Sequence, residues 1–151
     1  NTWQVVNLTG HQHIETVRDA LQALPIACYP VDYYDDMPGL LAAADIVVGR
    51  AGAVSVAEFA AAGTPAVCLP YPYHKDRHQY RNAQKLVDAG AGLIVEDRPQ
   101  VPDETAGELA RVLKSLMADT QKREQMARAA RQMGTLRSAE TICHAIMSNS
   151  G

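Results

Sequence analysis

Cysteine is scarce in this sequence and poorly placed for chemistry. Cys28, Cys68 and Cys143 are odd in number and far apart, without the paired C-x-x-C spacing of zinc or redox sites. A reducing, cytoplasmic setting fits best. Long apolar runs are missing too: nothing approaches the ~20 residues that cross a bilayer, and no charged-then-apolar leader opens the chain. Neither a membrane span nor a signal peptide is expected. Basic charge is in deficit, since 14 Lys and Arg stand against 17 Asp and Glu for a net charge of -3. That argues against a nucleic-acid binder, whose phosphate contacts need a cationic surplus. Metal ligands do not cluster: Asp35-Asp36 precedes a predicted helix, where such residues usually cap, and has no companion His or Cys. Repeats and low-complexity segments are likewise absent.

What remains is an ordinary globular composition, 47% hydrophobic and 21% charged over 151 residues. One domain, 1–151, with its own core is the default expectation. The chain opens on Asn1 and passes at once into a strand-like run, which reads as the middle of a longer protein.

Short apolar runs alternate with helical stretches, the pattern of βαβ units and of a parallel, Rossmann-like α/β sheet covered by helices on both faces. Strands are predicted at Gln4–Leu8, Ile26–Tyr29, Ile46–Gly49, Ala66–Leu69 and Gly92–Val95. Helices are predicted at Ile14–Leu24, Met37–Ala44, Val54–Ala62 and Gln79–Ala89, then at Asp103–Met117, Thr120–Met133 and Ser138–Met147. Connections are short except Pro70–Arg77, and long loops at strand ends are where such folds place ligands. Arg111, Lys114, Lys122, Arg123, Arg128, Arg131 and Arg137 make the C-terminal helices basic, read here as a solvated helix face.

Two segments carry chemistry. In Ala44–Glu58 a buried-type strand meets a turn with Gly49 and Gly52 and then a helix start. Such a turn lets a ligand approach the backbone, while the helix N-terminus offers unpaired N–H groups and about half a positive charge, suited to a diphosphate. Ser55 and Glu58, three apart, share an edge of the first turn, where a carboxylate accepts from both hydroxyls of a ribose. The same Ser55-x-x-Glu58 spacing is also a capping box that satisfies the helix's own N–H groups. The second segment, Tyr71–Asn82, is crowded with polar groups. Gln79 and Asn82 face one way beside His78, and amides both donate and accept, which suits sugar hydroxyls. His74, Lys75, Asp76 and Arg77 read equally as surface charge. Trp3 reads as a core or interface residue, and His11 and His13 as a loop within reach of a ligand or simply solvated.

Taken together, the stretch from Asp45 through Ala53-Val54-Ser55-Val56-Ala57-Glu58 to Pro65, and His74-Lys75-Asp76-Arg77-His78-Gln79-Tyr80-Arg81-Asn82-Ala83, resemble the MurG family. The resemblance implies a GT-B glycosyltransferase, of which this would be the C-terminal donor-binding domain. It implies an N-acetylglucosaminyltransferase of peptidoglycan synthesis, moving N-acetylglucosamine from UDP-N-acetylglucosamine to a lipid-linked muramyl-pentapeptide and so making lipid II from lipid I. No cofactor and no metal are implied. By the same likeness Gly52 and Ala53 to Glu58 wrap the uridine and diphosphate, with Glu58 on the ribose. Gln79 meets the sugar with His78 and Asn82 beside it, and Tyr34 lines the uracil pocket. Family members carry His or Gln at the position of His78, and some carry an aliphatic residue at that of Tyr34.

Two parts of the family pattern have no counterpart here. The Gly-Gly-Ser-x-Gly-Ala loop would lie just before Asn1, and the N-terminal acceptor domain would bring the histidine proposed as general base. No catalytic residue is therefore expected on this chain, which alone would be inactive and would bind donor weakly. The lipid-linked acceptor and the cytoplasmic face of the bacterial inner membrane would be met through the full-length protein. Two other readings stand: a donor subunit or domain of a related lipid glycosyltransferase, and a nucleotide-binding module without transfer activity.

Overall fold

The computed structural model describes residues 3–73, 75–134 and 146–148. The chain divides into two compact units, Asn1–Met37 and Pro38–Gly151.

The first unit is a βαβ turn of chain: β1 (Gln4–Leu8), α1 (Ile14–Gln22) and β2 (Ala27–Val31), with the strands parallel and in register from Gln4 opposite Ala27 to Leu8 opposite Val31. Thr9 extends the pairing, its backbone N–H donating to the Val31 carbonyl over 2.9 Å and its hydroxyl to the same oxygen over 3.2 Å. Val5, Val6, Leu8 and Tyr29 stay exposed, and α1 buries no residue completely.

The second unit holds α2 (Met37–Ala43), β3 (Val47–Gly49), α3 (Ala53–Ala62), β4 (Ala66–Cys68), α4 (His78–Asp88), β5 (Gly92–Ile94), α5 (Pro102–Ala118) and α6 (Thr120–Met133). Its three strands pair in parallel in the order β3-β4-β5. The central strand is wholly buried, as a parallel strand covered on both faces must be. Alternation splits its side chains between two cores. Val67 packs with Val95, Leu116 of α5 and Met126 of α6, with Leu109, Val112 and Leu113 around them. On the other face Gly49 lies against Phe59 of α3, and Gly92 against Leu86 of α4. Each fully buried leucine contributes about 1.5–3 kcal/mol by leaving water.

Two left-handed glycines set where β4 and β5 begin. After α3, Gly63 has φ +73°, and after α4, Gly90 has φ +76°. At both, the next residue donates back five places, Thr64 to Phe59 over 3.0 Å and Ala91 to Leu86 over 2.8 Å. This is the Schellman stop, and glycine takes that conformation without a Cβ penalty. The buried Thr64 hydroxyl then donates to the Leu41 carbonyl of α2 over 2.6 Å, tying α2 to the start of β4.

Every predicted strand, and every helix up to Thr120–Met133, is present to within two residues at each end. The helix predicted at Ser138–Met147 lies almost entirely outside the described residues. Within the basic C-terminal stretch Arg123 has a specific task. Its guanidinium donates to the Leu116 and Met117 carbonyls over 2.6 and 3.1 Å, supplying a cation and donors to the C-terminal end of α5. Cys28 and Cys68 are both free thiols.

Candidate functional site

The β3–α3 turn forms the first wall. The helix starts at Ala53, with Gly52 as an extended N-cap that has no side chain to cap with, and its first intrahelical bond runs from the Val56 N–H to the Gly52 carbonyl over 3.0 Å. The N–H groups of Ala53, Val54 and Ser55 therefore have no intrahelical acceptor. Ala53 and Val54 are exposed, Val54 by 71%, so that end of the helix is open to a ligand.

This start bears on the capping box at Ser55 and Glu58. A capping box needs the serine at the N-cap, and Ser55 is the third helical residue, so that reading fails. Val56, Phe59 and Ala60 turn into the core, while Ala57 and Glu58 face out. Neither the Ser55 hydroxyl nor the Glu58 carboxylate is held by a hydrogen bond or ion pair among the described residues.

The second wall is the connection from β4 into α4. The Tyr71 backbone N–H donates to the Gln79 side-chain carbonyl over 2.9 Å. That bond orients the amide so that its NH2 group is left to donate elsewhere. The Asn82 amide donates to the Ala51 carbonyl over 3.2 Å, joining α4 to the turn that opens α3. His78 is turned toward Asp76, whose carboxylate meets both the His78 ring Nδ1 at 2.9 Å and the His78 backbone N–H at 3.3 Å. The His78 side chain, then its backbone N–H, holds the Asp76 carboxyl below its ordinary pKa of 3.8. Arg81 donates to the Asp76 carbonyl. Arg77 is left-handed at φ +50°, a conformation costing a non-glycine residue about 1–3 kcal/mol, and its guanidinium lies 4.2 Å from the centre of the Tyr80 ring. His74 lies outside the described residues.

A third component has no local signal in the sequence. Arg50, just beyond β3, pairs with Asp97 beyond β5 at 2.7 Å, donates to the Leu69 carbonyl beyond β4 over 3.0 Å, and lies 5.6 Å from the centre of the Tyr71 ring. One guanidinium thus ties together the C-terminal ends of all three strands of this sheet, the edge at which α/β folds bind ligands. Beside it a cavity of about 250 Å³ opens between Tyr71, Tyr80, Arg77, Glu96 and Asp97.

Of the remaining candidates, Tyr34 is exposed and belongs to the first unit. His11 there pairs with Asp32 at 2.7 Å. The Tyr33 N–H, with His11 adding to it, keeps the Asp32 carboxyl below its usual value.

The family model described as the glycosyltransferase family 28 C-terminal domain matches residues 1–142. The chain belongs to that family. Among its relatives is the UDP-N-acetylglucosamine--N-acetylmuramyl-(pentapeptide) pyrophosphoryl-undecaprenol N-acetylglucosamine transferase of Anaeromyxobacter sp. strain K, 35% identical over 95% of this chain and 37% of the relative. Enzymes of the same name in Lactiplantibacillus plantarum and Nitratidesulfovibrio vulgaris are 35% identical over 95% of this chain and 39% of the relative, and 40% identical over 89% and 36%. Family 28 members of that name are therefore much longer, and this chain spans under two-fifths of them. The crystal structure of Acinetobacter baumannii MurG superposes with a TM-score of 0.81 at 27% identity, over 96% of this chain and 41% of that one. Glycosyltransferase VinC, with a TM-score of 0.59 at 18% identity over 95% of this chain and 41% of that one, shares the fold. The fold of this family 28 domain is that of the C-terminal domain of a GT-B glycosyltransferase.

In chemical terms the domain offers backbone donors with a partial positive charge at α3, an uncommitted carboxylate one turn on, and an oriented amide at Gln79. Among the described residues no group of three or more His, Cys, Asp or Glu is placed to hold a metal ion, and no helix is long and apolar enough to cross a membrane.

Proposed function

We propose that this chain binds UDP-N-acetylglucosamine as the donor-binding part of an inverting transferase that passes N-acetylglucosamine to a lipid-linked muramyl-pentapeptide. The observation that carries the reading is the uncapped N-terminus of α3, with the Glu58 carboxylate uncommitted one turn along it. A nucleotide diphosphate needs that pair: N–H donors for the phosphates and a carboxylate for the two ribose hydroxyls. The 35–40% identity to relatives named for this transfer supports the choice of sugar and acceptor.

In this reading the residues divide the work. The N–H groups of Ala53, Val54 and Ser55 take the diphosphate, Glu58 the ribose, and the free NH2 of Gln79 a hydroxyl of the donor sugar. Val56 faces the core and shapes the turn through its backbone. Asn82 positions the turn through Ala51, and His78 borders the sugar from its place beside Asp76. When the acceptor hydroxyl attacks the anomeric carbon, the bond to the diphosphate breaks and its electron pair passes to the leaving phosphate oxygen. The helix N-terminus stabilises that growing charge, the role of an oxyanion-type site. The base that removes the acceptor proton comes from outside this chain, as does attachment to the cytoplasmic face of the membrane.

Isothermal titration of the intact protein with UDP and with UDP-N-acetylglucosamine tests the reading. Saturable binding of both is expected, and an intact protein indifferent to both nucleotides overturns it.

A further inference from the structure

The Gln79 amide can meet a sugar hydroxyl only when it is turned the right way, and the group that turns it is the backbone N–H of Tyr71. That N–H belongs to the peptide bond between Pro70 and Tyr71. Arg50 holds this short segment on both sides: its guanidinium donates to the Leu69 carbonyl over 3.0 Å and lies 5.6 Å from the centre of the Tyr71 ring. The Leu69 N–H in turn donates to the Gly49 carbonyl over 2.9 Å, so consecutive residues at the end of β3 secure both polar groups of the Leu69 backbone. Between the two anchors stands Pro70, buried, with a ring that fixes φ at about −65°. The peptide that orients Gln79 therefore has little freedom while Arg50 stays in place.

What keeps Arg50 in place comes from the opposite edge of the sheet. Asp97, beyond β5, meets the Arg50 guanidinium at 2.7 Å, the one ion pair of either residue among the described residues. The Asp97 side chain is 19% exposed against 49% for Arg50, so the pair is screened less than two charges on the open surface would be. The same nitrogen, Nη1, makes both the contact with Asp97 and the bond to the Leu69 carbonyl. The carboxylate thus pins the atom that donates to the segment carrying Tyr71. A planar guanidinium suits this task, because its N–H groups diverge in fixed directions and serve two acceptors at once.

We propose that Arg50 and Asp97 are positioning residues for the donor sugar: the pair fixes residues 69–71 and, through the Tyr71 N–H, the Gln79 amide. The assignment rests on the donor-binding function proposed above. It makes the sugar, rather than the UDP, the part of the ligand that senses the end of β5.

Isothermal titration of the intact protein with UDP-N-acetylglucosamine and with UDP tests the pair, in wild type, Asp97→Ala, Arg50→Met and Gln79→Ala. Each substitution is expected to lower the affinity for UDP-N-acetylglucosamine relative to that for UDP by about three- to tenfold, the effect of one lost hydrogen bond. Asp97→Asn, which keeps an acceptor facing the guanidinium with little change of shape, is expected to lose less than Asp97→Ala. Asp97→Ala combined with Gln79→Ala is expected to be no weaker than Gln79→Ala alone, since the pair acts through that amide. Equal loss of UDP and UDP-N-acetylglucosamine, unchanged affinity for both, or additive losses in the double variant overturns the positioning role. A wild-type protein that binds neither nucleotide overturns the donor reading instead.

Discussion

Asn82 of α4 reaches 31 residues back along the chain to donate its side-chain amide to the Ala51 carbonyl, at 3.2 Å. The bond fixes the turn from which the N–H groups of α3 emerge, so its loss should be felt at the ligand before it is felt in stability. A neutral hydrogen bond of this kind is worth about 0.5–1.5 kcal/mol. Asn82→Ala is expected to weaken UDP-N-acetylglucosamine about three- to tenfold in isothermal titration. Asn82→Asp, whose carboxylate cannot donate to a carbonyl, should be worse than alanine. Equal affinity in both variants and wild type would remove Asn82 from the site.

Glu58 should separate binding from stability more sharply still. Its carboxylate is exposed and caps nothing, since the N-cap of α3 is Gly52. Exposed substitutions of this type change stability by less than about 0.5 kcal/mol. Two hydroxyls bonded to a carboxylate are charge-assisted contacts of about 1.5–3 kcal/mol in total. Glu58→Ala is therefore expected to weaken UDP about ten- to hundredfold and leave the melting temperature within about 2 °C of wild type. A large fall in melting temperature with unchanged UDP affinity would return Glu58 to a structural role.

These two residues mark how far the sequence can be read. Strand and helix positions follow from apolar runs punctuated by glycine and proline, and the left-handed stops at Gly63 and Gly90 stand just ahead of Ala66 and Gly92. The helix start after Gly52 was legible to within one residue, but choosing between a capping box and a ligand carboxylate at Glu58 required that one residue. Long-range bonds left no trace in local spacing. Asn82 to Ala51, Arg50 to Asp97 and Arg123 to the end of α5 join residues whose proximity only the folded chain creates. Asn82 was legible as an amide, but its bond to the Ala51 carbonyl was not.

The start of α4 carries one source of acid sensitivity. Asp76 is held below 3.8 by the His78 side chain and backbone N–H, and a carboxyl whose folded pKa is depressed contributes stability above its unfolded value. That contribution is present above pH 3.8 and fades as pH falls through the lower folded value. Carbon-detected NMR titration of the Asp76 carboxyl is expected to give a midpoint under 3.8 that moves back up in His78→Ala. A midpoint that ignores this substitution would show that the backbone alone sets it.

Two glycines should respond in opposite directions to the same substitution. Gly107 sits inside α5 with nothing within 4 Å of where a Cβ would be, so alanine there gains helix propensity at no steric cost. Alanine is favoured over glycine in a helix interior by about 0.8–1.0 kcal/mol. Gly134, just past α6, would place its Cβ 2.7 Å from the Ala60 carbonyl oxygen and 3.0 Å from the Ala61 Cα. Both contacts are backbone, which cannot swing aside as a side chain would, and forced overpacking costs about 1–3 kcal/mol. At about 2–4 °C per kcal/mol for a chain of this size, Gly107→Ala is expected to raise the melting temperature by a few degrees and Gly134→Ala to lower it by about 2–12 °C. An unchanged melting temperature in Gly134→Ala would mean that the end of α6 does not press against the C-terminal turn of α3.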